Sequence, residues 1–254
     1  MTAAKDNDKV AGRSRLDKAM VDRGLASSRE RARALILSGS VIVDDTVMDK
    51  AGDLVRPDAA IRIRGHDNPY VSRGGLKLKH ALDAFGIDVH DKVALDVGAS
   101  TGGFTDCLLQ EGARRVYALD VGYGQVAWKL RVDNRVVLFE RTNIRTFDVT
   151  RIPDTIDITT VDVSFISLKL VLPVLFPGLP RGALVLALIK PQFEAGRPDV
   201  GKGGVIRNPE VQMRVVREIR EYAGNVGFLV KGSCESPLRG PAGNREFFLC
   251  AGRP

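Results

Sequence analysis

The chain has 254 residues, with 38 Lys and Arg against 31 Asp and Glu and a net charge of +7 at neutral pH. Its 44% hydrophobic and 27% charged content is that of a globular protein, not a disordered or fibrous one, and its length exceeds one average domain without reaching two. No apolar run approaches the ~18 residues that cross a bilayer, the N-terminus lacks the apolar core of a signal peptide, and three cysteines without a CxxC pair offer no zinc ligand set, so a reducing cytoplasm is expected, with no metal and no stable membrane association.

Residues 1–12 read as a loose polar tail. Leu16, Ala19, Met20 and Arg23 then fall at helical spacing, Gly24 stops the helix, and Ser27 or Ser28 caps a second one from Arg29 to Leu37. Val41 to Val43, an Asp44-Asp45 turn, Val47-Met48 and Ile61 to Ile63 are short-strand signals. Residues 13–64 therefore form a small α+β unit. Arg13 to Arg33 carries seven basic residues against three acidic ones, and Arg29 and Arg33, four apart, share a helix face. On charge alone, a phosphate-binding surface and a merely solvated one are equally good readings. The stretch RLDKAMVDRGLASSRERARALILSGSVIVD, Arg15 to Asp44, resembles the S4 RNA-binding domain. That resemblance implies RNA contacts from Arg15, Arg29, Arg33 and the neighbouring Ser38 to Ser40.

Residues 65–69 (GHDNP) read as a linker to a second domain at 70–254. Candidate strands are Val93–Val97, Val116–Asp120, Val136–Glu140, Ile156–Asp162, Leu184–Lys190, Phe228–Lys231 and Glu246–Cys250. One intervening helix is plain: Asn208 caps it, Pro209 takes its first turn, and Val211, Val215, Ile219 and Tyr222 make an apolar face. Strand and helix alternation predicts an α/β domain with a doubly wound, mostly parallel Rossmann-like sheet, whose ligands gather at the carboxyl ends of the strands.

ALDVGASTGGF, Ala94 to Phe104, is a buried strand entering a glycine-rich turn that opens a helix, so backbone N–H groups can approach a ligand. Its G-x-x-x-G-G spacing departs from the dinucleotide fingerprint. Asp96 just before the turn would repel a pyrophosphate but suit a cationic amino-acid moiety, which favours S-adenosylmethionine. Asp120 closes the second strand, where a carboxylate accepts ribose hydroxyls. Gly98, Ser100, Gly102, Gly103 and Phe104 are expected around the methionine part, and Asn143 and Ile144 near the adenine.

Lys77, Asp162, Lys190 and Glu246 fall at strand ends or just before the first strand. Glu246 reaches the common crevice only if the last strand runs antiparallel. Gathered there, two lysines beside two carboxylates would lower one lysine's pKa by like-charge repulsion and desolvation. YVSRGGLKL, LDVGASTGGFTD, VDVSFISL, LIKPQFE and NREFF, in this order behind an S4-like unit, resemble the TlyA (haemolysin A) family of ribosomal RNA 2′-O-methyltransferases with an FtsJ-like catalytic domain. The resemblance implies methylation of cytidine ribose in small- and/or large-subunit rRNA (16S and/or 23S) by a Lys-Asp-Lys-Glu tetrad at Lys77, Asp162, Lys190 and Glu246, with Lys79 a competitor for the first place. Lys190 is then the group that accepts or relays the 2′-hydroxyl proton, Asp162 and Lys77 orient it, and Glu246 positions the lysines.

Gly196 to Gly203 nearly matches a P-loop, but Gly203 stands where the magnesium-binding hydroxyl belongs; a loop closing over RNA through Arg197 and Lys202 fits better. Arg73, in the R-G-G motif, is a further RNA contact, and Arg239 and Arg245 near Glu246 are phosphate contacts or surface ion pairs. Trp128 is expected to be packed inside. The expected partners are rRNA or ribosomal subunits, not DNA. Two competing readings are a non-catalytic RNA-binding or ribosome-assembly factor and, from the family's haemolysin label, a membrane-active protein, for which the sequence offers no amphipathic segment.

Overall fold

The computed structural model describes residues 12–64 and 68–254, so the expected tail before Gly12 and most of the expected linker, Gly65 to Asp67, lie outside the described residues. The chain divides into two units, 1–67 and 68–254.

In the first unit β1 (Ser14–Arg15) leads directly into α1 (Leu16–Asp22), and α2 (Arg29–Leu37) follows. Ser28, not Ser27, caps α2: its Oγ accepts the Arg31 N–H at 3.2 Å. Gly24 ends the first helix at φ +68°. A three-stranded antiparallel sheet orders β3 (Thr46–Met48), β2 (Val41–Val43) and β5 (Ile61–Ile63), with Asp44 and Asp45 both at positive φ in the two-residue turn joining β2 to β3. Leu16, Met20, Ile36 and Val41 are fully buried between helices and sheet. A short pairing of β1 with β4 (Leu54–Val55) was not foreseen, because two-residue strands carry no periodicity to read.

The second unit is built on a seven-stranded sheet. In chain order its strands are β6 (Val93–Val97), β7 (Arg115–Leu119), β8 (Val136–Phe139), β9 (Ile158–Val161), β10 (Leu184–Ile189), β11 (Leu229–Glu235) and β12 (Phe247–Gly252). They lie side by side as β11-β12-β10-β9-β6-β7-β8. All neighbours are parallel except at β12, which runs antiparallel to both β10 and β11. The predicted strands recur within a few residues at each end; Asp120, Asp162 and Lys190 stand just past their strands, where the ladder gives way to the ligand-facing loops.

Short helices α5 (Trp128–Arg131), α6 (Leu172–Gly178) and α7 (Pro191–Glu194) lie in the connections of this sheet. Both of its faces are covered, and successive residues divide between them. Val93, Leu95 and Val97 face one core with Val215 and Ile219 of α8 (Pro209–Val226). Ala94, Leu186, Leu188 and Phe248 face the other, with Leu78 and Leu82 of α3 (Gly74–Phe85) and Leu108 of α4 (Gly103–Gln110). The Asn208 cap of α8 is present, its Oδ1 accepting the Glu210 N–H at 2.9 Å. The buried face of α8 runs through Gln212, Val215, Val216, Ile219 and Ala223, about one residue round from the predicted stripe, because the helix also covers a polar position at Gln212.

Candidate active site

The strand order reverses between β6 and β9, and it is there, at the carboxyl ends, that a doubly wound sheet leaves a crevice. Gly98, the residue after β6, has φ +86°, and a Cβ on it would lie 2.5 Å from the Asp162 carbonyl oxygen. Only glycine permits both the conformation and the approach. Asp162 is held there by its own N–H, which donates to Val97 O at 2.9 Å. The glycine turn and the first candidate carboxylate are thus one rigid piece of backbone.

Four chain segments deliver the tetrad. Lys190 follows β10, and its Nζ donates to Ser164 Oγ at 2.9 Å and lies 2.6 Å from Asp162 Oδ1. That carboxylate oxygen is buried, and its contact within the site is the ion pair with Lys190. The antiparallel register opposes Phe247 to Ile189, which sets Glu246 beside the end of β10 and meets the condition stated from sequence. Lys77 comes from α3 and donates to Glu246 Oε2 at 2.5 Å across a sequence separation of 169 residues. The segment before α3 is fixed because Val71 N–H donates to the buried Asp106 of α4 at 2.7 Å. Lys77 and Lys190 are each 9% exposed and Glu246 is 1% exposed. The Lys77–Glu246 pair is therefore buried and the Lys190–Asp162 pair partly so, with the Asp162 side chain 22% exposed, and the four groups are neutral in sum. Lys79 instead pairs with Asp83 and Glu111 at the surface.

Two cavities meet at the glycine turn. A smaller one, about 260 Å³, is lined by Lys77, Asp162, Lys190, Gly103, Phe104 and Arg73, among others. A larger one, about 620 Å³, is lined by Asp120, Asn143, Arg145, Phe165 and neighbouring backbone, a size that suits a nucleoside. Gly98, Ser100, Asp162 and Ser164 belong to both. Asp120 is aimed by two backbone donors, Ser100 N–H and Gly122 N–H, each at 2.7 Å. Phe104 forms part of the wall and stacks on Phe248 with ring centroids 6.0 Å apart.

Several expected contacts are corrected. Asp96 does not face a ligand: it is fully buried beneath the turn, accepting from Thr105 Oγ1 at 2.7 Å and Thr160 Oγ1 at 3.0 Å, and burial pushes its pKa up to about 6. Gly102, at φ +95°, packs on Leu130 and donates to Ala99 O at 2.7 Å, so it shapes the turn without lining a cavity. Ile144 is buried in the core below Asn143. Trp128 is 75% exposed, against the expectation of packing. Arg197 sits in a 3₁₀ turn, Arg197–Asp199, and Lys202 in a tight turn closed by a Gly201–Val205 bridge; both are exposed and neither lines the two cavities.

The three arginines of the first unit are not independent cations. Arg15, Arg29 and Arg33 all converge on Asp17, with contacts of 3.1, 3.0 and 3.2 Å to its Oδ2. The Asp17 side chain is fully buried while each arginine stays about half exposed. Hydrogen bonds from Arg15 foremost, then Arg29 and Arg33, hold that carboxyl well below the usual carboxylate range. Net, the cluster presents two positive charges in a fixed fan.

Phe165 is the residue sequence reading missed. It is 90% exposed at the rim of the larger cavity and holds φ +63°, a strained conformation for a bulky side chain, with its ring 5.0 Å from that of Phe193. The apolar residue between Ser164 and Ile166 in VDVSFISL carried no sign that it would face outward. Among the described residues no cluster of His, Cys, Asp or Glu has the arrangement of a metal site, and no helix is long and apolar enough to cross a membrane.

Comparison with known proteins gives this geometry a family. The FtsJ-like methyltransferase model matches residues 70–253 and the S4 domain model residues 14–61. The chain is 45% identical over 241 residues to the 16S/23S rRNA (cytidine-2′-O)-methyltransferase TlyA of Mycobacterium tuberculosis, covering 94% of this chain and 90% of that one. It is 41% identical to Hemolysin A of Brachyspira hyodysenteriae, covering 92% and 97%. A solved structure named for a hemolysin of Streptococcus thermophilus matches with TM-score 0.75 at 40% identity, over 95% of this chain and 89% of that one. An S-adenosylmethionine-dependent methyltransferase from Listeria monocytogenes, at 16% identity, over 72% of this chain and 98% of that one, and TM-score 0.54, shares the fold alone. With a catalytic-domain model spanning most of its length and relatives this close along nearly all of it, the chain belongs to the FtsJ-like methyltransferases, in the group that carries an N-terminal S4 domain and includes TlyA and Hemolysin A.

Proposed function

We propose that the protein methylates the 2′-hydroxyl of a cytidine in 16S or 23S ribosomal RNA, using S-adenosylmethionine. The observation that carries this reading is the convergence of Lys77–Glu246 and Lys190–Asp162 on the cavity formed by the glycine turn. S-Adenosylmethionine supplies an electrophilic methyl group on a sulfonium. In this reading the larger cavity takes the nucleoside part, with Asp120 accepting ribose hydroxyls and Asn143 near the adenine, and Gly98, Ser100, Gly103 and Phe104, which line the smaller cavity, surround the methionine part.

A ribose hydroxyl is a weak nucleophile and must be oriented and relieved of its proton as the new O–CH₃ bond forms. Lys190 is the group for that work. It is anchored by Ser164 and paired with Asp162; passing one ammonium proton to the Asp162 carboxylate leaves the Lys190 amine a lone pair that takes the 2′-hydroxyl proton as the O–CH₃ bond forms. Lys77, which lines the same cavity, helps orient the hydroxyl, and Glu246 holds Lys77. Because the S–CH₃ bond breaks as the O–CH₃ bond forms, a line-up of donor, methyl and acceptor in a rigid site supplies much of the rate. Arg15, Arg29 and Arg33, with Ser38 to Ser40 and Arg73, are the RNA contacts of this reading; phosphate contacts of this kind position a substrate without reading its sequence.

The test is transfer of tritium from methyl-labelled S-adenosylmethionine to separated ribosomal subunits and to naked rRNA, followed by mapping of ribose methylation. Label on one cytidine 2′-oxygen is the expected result. RNA binding without label transfer to any rRNA would favour a non-catalytic binding factor instead.

A further inference from the structure

Beside the catalytic cavity lies a second one, about 490 Å³, lined by Arg207, Arg239 and Arg245 around Gln212. Arg239 belongs to both: it also lines the cavity that contains Lys77, Asp162 and Lys190. The enclosing loop is built, not draped. Asn244, 2% exposed, accepts the Ile206 N–H through Oδ1 and donates from Nδ2 to Gly204 O, both at 2.9 Å. Gln212, 3% exposed, donates to Ile206 O at 2.7 Å and accepts from Arg245 Nη1 at 3.2 Å. Asn244 stands two residues before Glu246, so this wall and the tetrad share one short run of chain.

The charge here is unbalanced. Arg245 pairs with Glu235, whose charge Arg239 also feels, and Arg239 Nη1 donates to Gly243 O at 3.3 Å; no carboxylate lines the cavity. Such a cleft, lined by three guanidinium groups and a fixed amide with no carboxylate on its wall, fits a phosphodiester, whose oxygens accept in the planar geometry that arginine offers. Ribose chemistry says which one. The 2′-oxygen and the phosphate-bearing 3′-oxygen sit on adjacent carbons, so a ribose presented to Lys190 brings its 3′ phosphate with it, and Arg239 is the residue common to the two cavities.

We infer that the Arg207–Arg239–Arg245 cavity seats the backbone phosphate on the 3′ side of the nucleotide being methylated, fixing that ribose against Lys190. The inference rests on the reading of the enzyme as an RNA 2′-O-methyltransferase. Its test compares the full chain with the double variant Arg207→Gln/Arg239→Gln and with Arg217→Gln, a control at an exposed position of α8. For each, the affinity for S-adenosylmethionine, the KM for rRNA and the salt dependence of rRNA binding are measured. The double variant should keep its cofactor affinity within about twofold, raise KM for rRNA at least about tenfold, and flatten the log–log salt slope by about one per arginine lost; Arg217→Gln should match the wild type. A substrate with a neutral methylphosphonate at the 3′ linkage should impair the wild type and leave the double variant no worse than it already is. A double variant with the wild-type salt slope overturns the inference, whatever its KM, because a raised KM alone would then report a distorted loop. If the wild type labels no rRNA at all, the proposed function fails, while the salt slopes still decide whether this cavity holds phosphate.

Discussion

Asp17 in the first unit and Asp96 in the second are both fully buried carboxylates, yet they sit at opposite ends of the acid scale. Three guanidinium groups surround Asp17 and hold it well below the usual carboxylate range. Asp96 meets no cation, accepting from two threonine hydroxyls and the Thr105 backbone N–H among the described residues, and burial pushes it up to about 6. The difference teaches that burial sets the cost of a charge and its partners decide whether that cost is met. The tetrad lies between these extremes, with one carboxylate for each buried lysine. A surplus of cations around one anion leaves positive charge at the surface for a polyanion; a matched set holds polar groups in place, desolvated, for chemistry.

The sharpest way to break this comparison is in the matched set. Lys190→Ala should lower single-turnover methyl transfer by about 10³-fold or more, with cofactor affinity by calorimetry changed less than about twofold; retained turnover would remove Lys190 from the chemistry. Glu246→Gln leaves Lys77 buried and unpaired, and should cost about 3 kcal/mol of stability in chemical denaturation. The double variant Lys77→Met/Glu246→Leu should recover most of that stability and remain inactive, which would separate holding the fold from doing the reaction.

Asp96 tests the unpaired case through pH. Its folded-state pKa is raised, so between the ordinary carboxylate range near 4 and about 6 the folded state binds the extra proton. Stability from this group is therefore fully present below pH ~4 and lost as pH rises towards 6, a loss of about 3 kcal/mol. The melting temperature of Asp96→Asn relative to wild type should climb across that window and level off above it; a difference independent of pH would refute the assignment.

Asp17 has the opposite sign. Its stabilisation is complete above the ordinary carboxylate range and is lost as pH falls well below it. Asp17→Asn should destabilise the N-terminal unit by about 2 kcal/mol and, although it makes the chain more positive, weaken rRNA binding by releasing the arginine fan. Stronger binding would mean that the arginines act as loose charges. The smallest effect belongs to Arg33→Gln, expected to weaken rRNA binding by about 1 kcal/mol or less and reduce its salt slope by about one, with kcat at saturating substrate unchanged.

Much of this was legible in the residues themselves. Short apolar, β-branched runs announced the strands, the Asn208-Pro209 pair announced the start of α8, and the glycine run announced the turn after a buried strand, because each is a local rule of backbone geometry. The order of Lys77, Asp162, Lys190 and Glu246 along the motifs was also visible, and so was the need for an antiparallel last strand. What local rules cannot supply is what stands opposite a side chain. Whether Asp96 faces a ligand or two threonines, whether Arg15, Arg29 and Arg33 are free or gathered on Asp17, whether Trp128 lies inside or out, and which lysine takes which carboxylate depend on segments up to 169 residues apart. Sequence by itself determined the kinds of groups and the elements that carry them; only the tertiary structure decided their partners, since pairing and burial are set by distances that chain position does not encode.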